Sequence, residues 1–310
     1  MPITEIQRVS RKGRIGSSDM AAILGLDPRR NASDVWLEKT DKLAEEDRNH
    51  RDNDPLLAGT FFEDGVLQYA EREFGKITRN QYRVAKGLPF PLGSNIDALV
   101  TATGQPVEAK TTGLFNYSGE KWGDTDTDQV PDRVLVQALV HMLCQGYDSC
   151  RIAAFIGGRG FARFLVPMDE EITAMMIERA DVFWNKHVKT DIPPENMYPH
   201  LEILKRVRRV PKTSKPLQNE LVSRWLEKKA IKKLAEDELE TVQAELITMM
   251  GDAEAGVCDL GTVTYLEQSR SGLDRKRLAI DHPQILVDYT EISTCRVARF
   301  QKPKAQKKAA

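Results

Sequence analysis

Along the first 190 residues the spacing of apolar positions changes several times, and each change predicts an element. Ser17-Ser18-Asp19 stand before MAAILG, which predicts a short helix with cap-forming side chains in front and Gly25 as its stop. SDVWLEKT, from Ser33 to about Thr40, predicts a second helix, followed by a charged loop from Asp41 to Asp54 that reads as mobile. From Leu56 to Phe74, Phe62, Val66, Tyr69, Ala70 and Phe74 recur at helical spacing, with Gly75 after the end. Then RNQYRVA, LGSNIDALV and PVEAKTT, rich in β-formers and separated by Pro or Gly, predict three strands, with TATGQ as the turn between the last two. From Pro131 to about Cys144 the apolar positions run almost all round a helix, the pattern of burial on every side. RIAAFIGG and FARFLVP predict a hairpin through Gly157 to Gly160, and a helix follows from about Asp169 to His187.

The rest of the chain has a different texture. LKRVRRVPKTSKP carries Lys205, Arg206, Arg208, Arg209, Lys212 and Lys215 without an acid, and reads either as a linker or as a contact to a DNA backbone. Gln218 to Met250 predicts a charged helix of roughly 50 Å at 1.5 Å per residue. Its Ile231, Ala235, Leu239, Val242, Leu246 and Met249 form a narrow stripe suited to one partner helix. VCDLGTVTYLE predicts two short strands around Gly261, and KPKAQKKAA a disordered basic tail. The expected division is a mixed α/β domain over 1–200, a basic linker over 201–216, and a long helix with a small β region and basic tail over 217–310.

Composition narrows the setting. A chain of 310 residues is long for one ordinary core, and 41% hydrophobic with 29% charged residues is the balance of a water-soluble globular protein. No apolar run approaches the ~20 residues of a membrane span, and MPITEIQRVSRKGR lacks the apolar centre of a signal peptide, so the expected location is the cytoplasm. Cys144, Cys150, Cys258 and Cys295 show no C-x-x-C pair or zinc spacing, which points to reduced thiols. A net charge of −1 argues against polyanion binding over the whole surface but leaves room for a local basic face.

The candidate chemistry lies in the predicted hairpin. Strand alternation puts Glu108 and Lys110 of PVEAKTT on one face, with Val107 and Ala109 on the other. Eleven residues earlier Asp97 interrupts an apolar strand, where a carboxylate needs a partner or a metal. Neighbouring strands lie about 4.8 Å apart, so Asp97 and Glu108 can converge on one ion. Oxygen ligands with open water positions suit Mg2+ or Mn2+, and a lysine beside the ion can hold an attacking water. The competing reading makes Asp97 a turn cap and Glu108–Lys110 a solvated pair. DTDTDQ, residues 124–129, imitates the opening of a calcium loop but lacks the glycine at its sixth position and has Leu135 where the bidentate glutamate belongs.

At these residues the sequence resembles the PD-(D/E)XK nuclease fold, and its first 190 residues resemble the YqaJ-type viral recombinase family, to which lambda exonuclease is related. Four blocks carry the likeness in order: RKGRIGSSDMAAILG, AGTFFEDGVLQYA with Gly59 and Glu63, the IDALV and VEAKTT hairpin, and VPDRVLVQALVHML with Gln137 followed five residues later by Met142. The fold implied is α/β: a restriction-endonuclease-like core with a central mixed sheet flanked by helices, carrying a C-terminal helical and small β extension.

The resemblance implies that Asp97, Glu108 and the backbone carbonyl of Ala109 bind the metal, with Glu63 adding an acid directly or through water, and that Lys110 sits beside the nucleophilic water. Gln137, on a largely apolar helix, would partner Lys110 or a water, and His141 one turn later is expected as a packed or DNA-facing neighbour. Arg11 and Ser18 would bind the terminal 5′-phosphate, with Arg14 and Ser17 as rival donors. The implied activity is 5′ to 3′ digestion of one strand of linear double-stranded DNA, leaving 3′ single strands for recombination. The implied partners are two further copies in a homotrimeric ring and a phage or prophage single-strand annealing protein. A structure-specific or restriction-like endonuclease on the same fold, and a catalytically idle DNA-binding scaffold, stay open beside it.

Overall fold

The computed structural model describes residues 12–44, 54–113, 121–269, 271–290 and 297–300, with backbone alone for 54–58 and Thr60. The basic tail and Cys295 lie outside the described residues, as do most of the charged loop before Asp54 and Arg11. Contacts divide the chain into two units, Met1–Arg209 and Val210–Ala310.

The first unit opens with α1 (Ser17–Ile23) and α2 (Ala32–Lys39). The α1 helix starts earlier than its sequence suggests. Gly16 is the N-cap, Asp19 reaches back to accept the Gly16 N–H at 3.0 Å, and Ser17 and Ser18 fall inside the first turn. In α2, Asn31 accepts from the Ser33 and Asp34 N–H groups while Asp34 accepts from Asn31, a reciprocal cap that fixes the entry.

Next come α3 (Asp54–Phe74), β1 (Ile77–Val84), β2 (Gly93–Val100) and β3 (Pro106–Thr112). They are followed by α4 (Asp132–Gln145), β4 (Ser149–Ile156) and β5 (Gly160–Pro167). Gly146 ends α4 in the left-handed region at φ 71°, a conformation that a β-carbon penalises. The closing helix α5 (Glu170–Val182) widens into a π-helical stretch over Phe183–Val188.

The strands form one sheet in the order β1-β2-β3-β4-β5, antiparallel except for the parallel pair β3–β4 that α4 bridges. Helix α3 covers one face, packing Val66, Leu67 and Ala70 on Ile77, Ala98, Val107 and Ala153. Helices α1, α2, α4 and α5 cover the other, where Ile152, Ala154 and Ile156 of β4 meet Leu139, Met142 and Phe164. Alternation along β4 thus feeds both cores, as a strand buried on both faces requires. This five-stranded mixed sheet flanked by helices is the mixed α/β architecture expected of the first domain.

Phe62, expected on the buried stripe of α3, is instead 51% exposed and stacks on Phe155 at 5.8 Å between ring centroids. The domain boundary also moves. Helix α6 (Leu201–Arg206) lies in the stretch expected as linker, yet Ile203, Leu204 and Val207 pack against the core. A bridge between Leu43 and Val207 ties it down, with the Ala44 N–H donating to Arg206 O at 2.7 Å and the Arg208 N–H to Lys42 O at 2.9 Å. The first unit therefore runs to Arg209 and not to 200, because three apolar residues and a short backbone ladder dock the segment.

The second unit holds α7 (Asn219–Met250), the hairpin β6 (Ala255–Cys258) and β7 (Gly261–Thr264), and two short helices, α8 (Arg275–Asp281) and α9 (Pro283–Asp288). Among the described residues no helix is long and apolar enough to cross a membrane.

Candidate active site

β2 and β3 are paired only at Ala98↔Val107 and Leu99↔Pro106, and beyond that the strands part. Asp97 occupies the parting. Its Oδ2 accepts the Ala109 N–H at 2.8 Å, replacing a rung of the backbone ladder with a carboxylate. Neither the capped turn nor the solvated pair describes this arrangement, since Glu108 is buried and its carboxylate lies beside Asp97.

Glu108 is in register with Ile152 on the parallel strand and so faces the α4 side of the sheet. There its Oε1 pairs with the Lys110 ammonium, and its Oε2 lies 2.5 Å from Nε2 of His141. The other imidazole nitrogen, Nδ1, is 2.7 Å from Oγ of Ser94 at the start of β2. His141 is thus packed, as expected, but it is 1% exposed and holds the acid; it does not face outward.

The two carboxyls titrate apart. Burial and the neighbouring Glu108 charge push Asp97 well above the usual carboxylate range, and Glu63 on α3 is near enough to push the same way. Burial also raises Glu108, but Lys110 and His141 outweigh it and hold Glu108 far below the usual range. Two neighbouring acids, one buried and one half-buried, cannot both ionise cheaply without a further cation.

The donor chemistry fits a divalent ion. Among the described residues no group of three acid, histidine or cysteine side chains is placed to hold a metal ion by itself; the carboxylate oxygens of Asp97 and Glu108 are donors of the kind Mg2+ or Mn2+ takes, the rest of the shell being water and substrate oxygens. On α4, one turn before His141, Gln137 has a buried Oε1 without a hydrogen-bond partner, a free acceptor for a water or an ammonium. Cys150 on β4 is buried nearby, its thiol held well up by burial and then by the Glu108 and Asp97 charges, so it stays protonated.

The N-terminal block reaches this region through Ile15, which bridges to Leu92, donates to Pro91 O and accepts from the Gly93 N–H at 3.0 Å. A β-carbon on Gly93 would lie 2.7 Å from Oη of Tyr82, so only glycine lets the segment and Tyr82 meet there. Arg14 is committed to that ring, its Nη1 donating to Tyr82 Oη at 3.0 Å. Ser18 is exposed in the first turn of α1, and Arg11 lies outside the described residues.

Sequence reasoning passed over the acid at the next position. Asp19 is buried between Arg30, at 3.0 Å, and Lys39, at 2.6 Å, and Arg30 also reaches Glu38 at 2.6 Å. Burial raises Asp19, but the two cations prevail and lower it. The only signal for this cluster is an acid in a helix's first turn, which by itself reads as a dipole partner. The acidic loop at 124–129 is tied to the edge strand, with Asp126 N–H donating to Arg163 O and Arg163 gripping the Asp126 carboxylate.

Comparison with known proteins bears on the same region. Residues 8–148 match the family model for the YqaJ-like viral recombinase domain. The uncharacterized protein YqaJ of Bacillus subtilis (strain 168) is 26% identical over 183 residues, a match spanning 58% of this chain and 55% of that protein. Two solved structures follow a similar backbone course: an alkaline exonuclease (LHK-Exo) from Laribacter hongkongensis and a phage related exonuclease from Haemophilus somnus 129PT. The first has 15% identity and a TM-score of 0.44, covering 61% of this chain and 94% of its own. The second has 9% identity and a TM-score of 0.38, covering 57% and 96%. Likeness of that degree says nothing of substrates. The family match covers all four sequence blocks, from the α1 segment to the α4 helix that carries Gln137 and His141, so that residues 8–148 are similar to the YqaJ-like viral recombinase domain.

Proposed function

We propose that this protein is a divalent-metal-dependent exonuclease that digests one strand of linear double-stranded DNA from 5′ to 3′ and leaves 3′ single strands for phage-type recombination. The observation that carries the reading is the pair of neighbouring carboxylates, buried Glu108 and half-buried Asp97, with Lys110 on Glu108 at the parting of β2 and β3. The YqaJ-like domain supports nuclease chemistry in recombination.

Asp97, Glu108 and the Ala109 carbonyl would hold Mg2+ or Mn2+, with Glu63 acting directly or through water. When bound, such an ion neutralises phosphate charge and makes water more acidic. His141, anchored on Ser94, fixes the rotamer of Glu108, so one oxygen of that carboxylate is already oriented. Lys110 then has a role of its own. Freed from Glu108, its ammonium can hold the attacking water and take part in moving its proton. Gln137 Oε1 supplies an acceptor for that water or for Lys110. Arg11 and Ser18 would hold the terminal 5′-phosphate, the guanidinium in bidentate fashion and the hydroxyl at the start of α1. A homotrimeric ring and a single-strand annealing protein as partner extend the same reading, in a bacterial cytoplasm under phage or prophage control.

The test is to incubate linear duplex and covalently closed circular DNA with the protein in Mg2+ and in chelator. Loss of the linear form alone, dependent on metal, is expected. Cleavage of the closed circle would move the reading to an endonuclease, and no cleavage of either would leave a DNA-binding scaffold.

A further inference from the structure

Helix α7 presents an apolar seam, exposed over most of its length, with Trp225 half-buried under the Lys229 ammonium 4.8 Å from its ring centroid. Leu221, Leu239, Val242, Leu246 and Met249 are 42–86% exposed. Leu221, Trp225, Ala235, Leu239, Val242, Leu246 and Met249 fall on the a and d positions of one continuous heptad, interrupted only by Lys228 and Lys232. The charges are segregated along the same helix. Residues 219–234 carry a net +3 and residues 235–250 a net −5. Because like charges are grouped, i to i+4 compensation inside the helix is sparse; among the described residues one ion pair, Lys232–Glu236 at 3.4 Å, bridges the halves.

We infer that α7 pairs with α7 of a second copy of this chain as an antiparallel two-stranded coiled coil; since three ring subunits cannot all pair two by two, the second copy belongs to another ring. A parallel pair would bury Lys228 against Lys228 and Lys232 against Lys232, and would set Arg224 beside Lys229 across the flank. Reversing one helix removes every one of these conflicts. With the centre between residues 233 and 234, Leu221 meets Leu246, Trp225 meets Val242, Lys228 meets Leu239 and Lys232 meets Ala235. In that register the flanking pairs become Arg224 with Glu245 and Lys229 with Glu236, each formed twice by symmetry. The two core lysines lay their aliphatic stems along the seam and carry their ammonium groups toward the partner's acidic half. A polar residue at such a core position costs stability and selects orientation, which is what two lysines on one side of the midpoint do here.

The experiment uses the full chain with Cys258 and Cys295 replaced by serine, leaving the buried Cys144 and Cys150 in place. Single cysteines are added at four positions, two tested alone and two as a co-expressed pair, and treated with a short bismaleimide. Ala235→Cys lies beside the two-fold axis and should cross-link to itself. Met249→Cys should not, because its copy lies about 45 Å away at 1.5 Å per residue. Lys229→Cys and Glu236→Cys, co-expressed, should link to each other. Reversing the flank with Arg224→Glu and Lys229→Glu should lower the Ala235→Cys yield about tenfold, since two attractive pairs, each formed twice, are replaced by like charges. Adding Glu236→Lys and Glu245→Lys should restore it.

Self-linking at Met249→Cys would establish a parallel pair and overturn the inference. Absence of any linked product in a chain of unchanged helicity would show that the seam is covered by the nuclease unit or by a different protein, and would overturn it equally. Neither result depends on cleavage of DNA, so the nuclease reading stands or falls separately.

Discussion

Replacing Asp97 with asparagine isolates the electrostatic core of the site. The substitution keeps an oxygen to accept the Ala109 N–H and removes the charge that lies beside Glu108. The sign of the effect follows from which state holds the proton. An unfolded aspartate titrates near about 3.9, whereas burial and Glu108 raise folded Asp97 well above that. Between those two values the folded state binds the extra proton, so stability falls as pH rises, by about 1.4 kcal/mol for each pH unit crossed. Glu108 acts in the opposite sense. Its lowered value contributes stability above the unfolded glutamate range, and that contribution is lost as pH falls toward the folded value.

In chelator at pH 8, Asp97→Asn should therefore be more stable than the parent and melt higher, by about 1.4 kcal/mol, or about 3–6 °C, for each pH unit by which the folded value exceeds the unfolded one. At pH 4 the two should be nearly equal. Metal reverses the order. An ion bound at a hundred times its dissociation constant adds about 2.7 kcal/mol to the parent, and the variant, short of one ligand, should gain little from the same concentration. Differential scanning fluorimetry at pH 4, 6 and 8, with and without Mn2+, reads all of this directly. A variant less stable than the parent in chelator at every pH, or one stabilised equally by Mn2+, would refute the assignment of Asp97 to a strained, metal-relieved pair.

Four other outcomes follow. Glu108→Ala should abolish cleavage, and Lys110→Ala should be equally inactive while retaining Mn2+ binding by calorimetry. His141→Ala should weaken Mn2+ binding 10–100-fold, the usual effect of removing a group that orients a ligand, with partial recovery in His141→Gln; unchanged affinity would make His141 a packing residue only. Duplex with a 5′-phosphate should be digested faster than 5′-hydroxyl duplex, by the equivalent of about 1.5–3 kcal/mol, and Arg11→Ala should erase most of that preference. A chain ending at 209 should fold and retain cleavage with shorter tracts per encounter, whereas one ending at 200 should lose about 2–5 kcal/mol because it strips Ile203, Leu204 and Val207 from the core; equal melting of the two would place the boundary back at 200.

What could be read from the sequence, and what could not, divides by the range of the interactions involved. PVEAKTT was legible to the residue because period-two alternation and Pro106 act locally, and α7 was legible because its period needs no tertiary partner. The bond from His141 to Glu108 was not legible, since it depends on α4 crossing the sheet at one height and on Ser94 arriving from another strand. The extension of the first unit to Arg209 was hidden for the same reason: a run of basic residues looks solvated until Leu43, far away in sequence, offers it an edge. Ser18 was misplaced by a smaller effect. A buried Asp19 that caps Gly16 from inside the helix moves the start forward, so the hydroxyl that looked like a cap is left exposed with no backbone duty. That leaves Ser18 free to meet a ligand, while Arg30 and Lys39, which grip the next residue Asp19, are already spent on it. Any anion gripped at the start of α1 must therefore draw its charge partner from the segment before it, where Arg14 is held by Tyr82, Lys12 pairs with Asp41, and Arg8 and Arg11 are the other arginines.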